Sequence, residues 1–107
     1  MSPAPGEIWL ADLGMAAKTR PVLIVSRHDP NPPRALIIYV PLTSQHRGSP
    51  YEVPMPTLPF LRGREESIAN VQGVASLPVT RLERKLGQVP GNLLEKVKQA
   101  LAYAMEL

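Results

Sequence analysis

The chain has 107 residues, 44% of them hydrophobic, and no cysteine, the size of one ordinary domain burying about 65% of its unfolded surface. That composition excludes disulfides and thiolate metal sites. The longest apolar run, residues 35–42, is far short of the ~20 residues of a spanning helix, and the N-terminus has neither a basic n-region nor an apolar h-region. One cytoplasmic domain over residues 1–107, with no membrane association, is therefore expected. Twelve Lys and Arg against nine Asp and Glu give +3 and a pI near 9.6, which favours a polyanionic partner.

The predicted elements are strands first and one helix last. Residues 7–13, EIWLADL, alternate with period two and stop at Gly14, which predicts a first strand; residues 14–19 form a loop. The runs Val22–Val25 and Leu36–Val40 are short and rich in Val and Ile, as central strands are. Pro30, Pro32 and Pro33 forbid regular structure between them. A short strand is expected at Tyr51–Val53, after the polar loop Ser44–Pro50. Ser67–Leu77 reads as one further strand, with Gly73 marking a bulge or a close backbone approach. A tight turn at Pro78–Arg81 then leads to a strand near Arg84–Val89. From Asn92 the period changes: Leu93, Leu94, Val97, Ala100, Leu101, Ala104 and Met105 share one helical stripe, and Asn92 with Glu95 has capping-box spacing. Thirteen prolines punctuate the chain too often for a helical bundle. Five or six mostly antiparallel strands with a terminal helix predict a β-rich α+β fold, a strongly bent sheet or partly open barrel.

Two residues stand out chemically. Arg20 heads the second apolar strand and Thr43 ends the third. If those strands pair, a permanent cation and a hydroxyl sit side by side on rigid backbone, which suits a phosphate. The structural alternatives are a salt bridge from Arg20 to Asp12 or Glu7, and a Thr43 hydroxyl that caps a turn. Lys18, Thr19, Ser44, Gln45, Arg47 and Ser49 carry donors for phosphates and base edges, or are ordinary loop polarity. Trp9, Tyr39 and Tyr51 could stack on bases, although Trp9 reads better as core or barrel-rim packing. His46, three residues beyond Thr43, carries an imidazole, the side-chain type suited to general acid or base work; a solvated loop histidine is the plainer reading. His28, beside Asp29 and a Pro-rich loop, reads as exposed turn. Two histidines without cysteine make no metal site, and no cofactor is expected.

Gly6-Glu7-Ile8-Trp9, then Arg20-Pro21-Val22-Leu23-Ile24-Val25-Ser26, Pro41-Leu42-Thr43-Ser44, Ser67-Ile68, and Arg81-Leu82 with Leu86-Gly87 resemble, in order and spacing, the successive signatures of the MazF/PemK toxin endoribonucleases. The resemblance implies an SH3-like barrel of the CcdB/Kid/MazF type, a homodimer, ribosome-independent and metal-independent cleavage of single-stranded RNA, and an antitoxin that blocks the RNA groove. It carries the family's catalytic Arg and Thr onto Arg20 and Thr43. In the fifth strand many relatives have an acidic residue and glutamine, followed two positions later by arginine. This chain has Gln72, Gly73, Val74 and Ala75 there, and Asn70 where some relatives place an arginine. A second reading is a non-catalytic relative that binds a protein target, as the gyrase-poisoning members do, or that binds nucleic acid or antitoxin without cutting.

Overall fold

A computed structural model describes residues 2–14, 19–61, 63 and 68–107. Lys18 and Ser67 lie outside the described residues. The described chain forms seven strands: β1 (Glu7–Asp12), β2 (Thr19–Ile24), β3 (Leu36–Thr43), β4 (Glu52–Pro54), β5 (Ile68–Asn70), β6 (Ala75–Pro78) and β7 (Leu82–Gln88), followed by helix α1 (Gly91–Met105). All pairings are antiparallel, in the order β4-β5-β3-β2-β1-β7, with β6 also on β3. Among the described residues no pairing joins the end strands β4 and β7, so the sheet is open.

The bend originates in β3. Its first half, Leu36–Tyr39, pairs with β6, and its last two residues, Leu42 and Thr43, pair with β5. One strand thus belongs to two diverging ladders, which turns the sheet around its own core.

Strand β2 runs through the centre. Pro21, Val22, Leu23 and Ile24 are all buried, because alternate side chains enter cores on opposite faces. Leu23 joins Ile8, Val40, Leu42 and the helix residues Leu93, Val97 and Ala100. Val22 and Ile24 join Ala11, Ile37, Leu77 and Leu82. Each such side chain contributes about 1.5–3 kcal/mol when fully buried.

Two expectations are corrected. The segment expected as one strand from Ser67 to Leu77 is broken: β5 ends at Asn70, Val71–Gly73 make a 3₁₀ turn, and β6 begins at Ala75. The cause is local, since Asn70 Oδ1 accepts from the Gln72 N–H at 3.2 Å and so offers the backbone an alternative to the ladder. Gly73 makes the close approach its sequence suggested: a Cβ there would stand 2.6 Å from Cγ of Pro41. The expected turn at Pro78–Arg81 contains another 3₁₀ turn, at Val79–Arg81.

The helix also starts earlier than its capping-box reading. Pro90 is the N-cap, without a side-chain cap bond, and its carbonyl accepts from Leu93 and Leu94 N–H. Asn92 is therefore already inside the first turn. Proline's fixed φ pre-organises this start. Of the predicted apolar stripe, Leu93, Val97 and Ala100 are buried, whereas Ala104 and Met105 are exposed.

Candidate RNA-cleavage site

The central pairing sets the two chemically distinctive residues. β2 and β3 match Val22 with Pro41, Leu23 with Val40 and Ile24 with Tyr39. Carried two residues further, that register puts Arg20 opposite Thr43, on the same face of the sheet. Arg20 is exposed and Thr43 half-buried. Arg20 is itself matched with Ala11 of β1, which holds its backbone from that side.

Of the two acids weighed as partners for Arg20, Glu7 is engaged at the far end of β1. Its Oε1 accepts from the Trp9 indole at 2.9 Å and from Ala4 N–H at 3.1 Å, and its Oε2 lies 3.2 Å from Lys85 Nζ. Burial pulls the Glu7 pKa upward, but Trp9, Ala4 and Lys85 together hold it below its ordinary value.

The end of β3 opens into a pocket of about 190 Å³. Thr43, Gln45, Arg47 and Ser49 line it from β3 and the following loop, and Glu52, Asn70 and Gln72 from β4, β5 and the 3₁₀ turn. Gly73 allows this assembly, because its missing side chain lets the turn lie against Pro41. Thr43 Oγ1 accepts from Gln45 N–H at 3.1 Å, the turn-capping bond weighed as its structural alternative. The hydroxyl proton stays available to donate. Arg47 Nη2 donates to Gln45 Oε1 at 3.1 Å.

Glu52 fixes the loop. Its Oε1 accepts from Ser49 N–H at 2.9 Å, and both carboxylate oxygens accept from Arg47 N–H at 3.1 and 3.2 Å. Ser49 Oγ in turn accepts from Tyr51 N–H at 3.2 Å. These bonds hold the Glu52 carboxyl below its ordinary pKa, Ser49 N–H most strongly, with smaller help from Arg47 N–H and the charge of His46.

The structure therefore brings together Thr43, Gln45, Arg47 and Gln72 and separates others. Ser44 and His46 are exposed in the same loop. Thr19 Oγ1 donates to Glu83 at 3.2 Å, toward β7. Tyr51 packs on Tyr103 of α1, with ring centroids 5.5 Å apart, and borders a different pocket at the helix C-terminus. Trp9 and Tyr39 pack against the second core. His28 Nδ1 lies 3.1 Å from the Ser2 carbonyl. Sequence reasoning missed Glu52 and Asn70 as pocket residues. The signal was present in Ser49-x-x-Glu52, the spacing by which a carboxylate reaches back to a backbone N–H.

The open sheet and terminal helix define a fold class with solved representatives. The chain aligns with a mycobacterial endoribonuclease solved in complex with its cognate antitoxin at TM-score 0.83 and 30% identity, covering 98% of this chain and 96% of that one. A MazF solved as a MazE–MazF crystal form from Deinococcus radiodurans aligns at TM-score 0.81 and 23% identity, over 100% and 98%. In sequence the chain is 32% identical over 109 residues to endoribonuclease MazF6 of Mycobacterium tuberculosis, covering 94% of this chain and 95% of the relative. It is 33% identical over 106 residues to endoribonuclease MazF4 of the same species, covering 99% and 95%. Residues 4–105 match the family model of the PemK-like, MazF-like toxins of type II toxin-antitoxin systems. The chain belongs to that family. No described helix is long and apolar enough to cross a membrane.

Proposed function

We propose that this chain is the toxin of a type II toxin-antitoxin pair, a single cytoplasmic domain that works as a homodimer and cuts single-stranded RNA without a metal. In the reaction, a ribose 2′-oxygen attacks the adjacent phosphorus while the bond from phosphorus to the 5′-oxygen breaks. The 2′-hydroxyl proton leaves to a base, and the 5′-oxygen gains a proton. The products are a 2′,3′-cyclic phosphate and a 5′-hydroxyl end.

The observation that supports this reading is the β2–β3 register from Ile24–Tyr39 to Val22–Pro41, which, continued by two residues, would set Arg20 opposite Thr43. Arg20 offers a planar fork of donors to the equatorial phosphate oxygens as their charge grows. A guanidinium stays protonated and is a poor proton shuttle, so its role is electrostatic. Thr43 adds a hydroxyl donor at the same phosphate. His46, in the loop after Thr43, is the candidate for proton transfer. Gln45, Arg47 and Gln72 bind the RNA beside the reacting phosphate, with Ser44 of the same loop as a further contact; Thr19, bonded to Glu83, and Tyr51, packed on Tyr103, lie away from that pocket. A role limited to binding a protein target has no use for the Arg20–Thr43 pair. The cognate antitoxin would inhibit by covering the pocket at the end of β3.

The test is to incubate the purified protein with EDTA and a long single-stranded RNA and to map both new ends. Cuts at one short motif with cyclic-phosphate and 5′-hydroxyl termini support the reading. Intact RNA at high protein concentration, or 3′-hydroxyl products, overturns it.

A further inference from the structure

The pocket at the end of β3 has an unequal supply of donors and acceptors. Gln45 Oε1 is occupied by Arg47 Nη2, and Asn70 Oδ1 by Gln72 N–H. Each bond fixes which end of its amide carries oxygen, so the NH₂ of Gln45 and of Asn70 are left as donors. The Arg47 guanidinium and the Thr43 hydroxyl add more. Both oxygens of Glu52 are already engaged by loop N–H groups.

A donor-rich pocket could take a phosphate, but Glu52 lines the same pocket. Its carboxylate is held in the charged form by Ser49 and Arg47 N–H, and a fixed negative charge disfavours an anion. A neutral base edge with adjacent acceptors fits better. Guanine presents O6 and N7 side by side, the edge that an arginine fork reads most often. Adenine and uracil each set a donor beside an acceptor and would leave a pocket donor facing a donor.

Resting on the RNA-cleavage reading above, we propose that this pocket is a base-specific subsite that accepts guanine through its O6/N7 edge, with Arg47, Gln45 and Asn70 as the reading residues. Glu52 is a positioning residue that acts through Arg47 and Ser49 by holding their backbone. Thr43, the hydroxyl of the proposed phosphate site, lines this same pocket, so the guanine occupies a fixed place relative to the cut.

Asn70→Asp is the discriminating variant. It keeps Oδ1 for the Gln72 cap and replaces the NH₂ donor by an acceptor. On a long RNA, the wild type cuts with guanine at one fixed position of its motif, and Asn70→Asp lowers that preference at least about tenfold. Gln45→Glu, which keeps the contact to Arg47, gives the same change if Asn70→Asp fails to fold. Independently of cleavage, guanosine monophosphate shifts the Gln45 and Asn70 side-chain amide signals of the labelled protein more than adenosine, cytidine or uridine monophosphate, and inorganic phosphate does not reproduce the shift. A cutting enzyme with no guanine position, or an unchanged motif in both variants, overturns the subsite and leaves the nuclease standing. A protein that does not cut yet shows the guanosine-specific shift overturns the nuclease and leaves the subsite. Equal shifts from all four nucleotides, or a shift reproduced by inorganic phosphate, overturn the subsite alone.

Discussion

Thr43 has two duties that substitution can separate. Its oxygen accepts from Gln45 N–H, while its hydroxyl proton is what the cleavage reading needs. Thr43→Ser retains both and should stay within several-fold of the wild-type cleavage rate. Thr43→Ala removes both, and should cost about 0.5–1.5 kcal/mol of stability together with most of the cleavage; urea unfolding and a cleavage time course read the two effects apart. Equal cleavage by the alanine variant would leave Thr43 as a turn cap alone. Arg20 and Thr43 were legible in the sequence because a charge and a hydroxyl interrupt apolar strands at their ends. Glu52 and Asn70 were not, because their roles depend on hydrogen bonds to neighbouring backbone, which no hydropathy pattern reports. Tyr51 shows the opposite limit: its type suits base stacking, but only the docked helix reveals that Tyr103 occupies its ring.

The loop between β3 and β4 depends on one carboxylate, and its pH response follows from the sign of that group's shift. The folded pKa of Glu52 lies below its ordinary 4.5, so its contribution is fully present above about that pH and is lost as pH falls through the folded value. The backbone amide signals of Arg47 and Ser49, which share the Glu52 carboxylate, should therefore move together as pH falls below about 4.5. Flat signals throughout the acid range would contradict the latch. The 3₁₀ turn gives a second prediction at this scale. Gly73→Ala sets a Cβ 2.6 Å from Cγ of Pro41, which forces the turn away from β3. We expect a loss of about 1–3 kcal/mol on urea unfolding, with a weakened RNA contact at Gln72. β1, β2 and β3 were legible from short apolar runs between turn signals. The break at Asn70–Gly73 was hidden because apolar residues continue on both sides of it, and the helix start was misplaced because Pro90, rather than the polar Asn92, fixes the first turn.

At the scale of the whole molecule, β2 couples site to core. The strand that presents Arg20 continues into Pro21–Ile24, buried on both faces, so the cation is mounted on a strand anchored in both cores. Leu23, fully buried between β1, β3 and the helix core, should lose about 2–5 kcal/mol on replacement by alanine, measured as a shift in the denaturation midpoint; a change under about 1 kcal/mol would show that the core does not depend on it. The β-rich class with a terminal helix was readable from proline spacing and the late change of period. The bent, partly open sheet was expected as well; the origin of its bend was not, since it depends on β3 dividing its length between β5 and β6. The central claim is that Arg20 stabilises charge at the reacting phosphate, and its most direct test is the single-turnover cleavage rate of Arg20→Ala beside the wild type, with matched thermal melts. We predict a loss of about 10²-fold or more in a variant that stays folded at the assay temperature, whereas a folded Arg20→Ala variant cutting within a few-fold of the wild-type rate would contradict it.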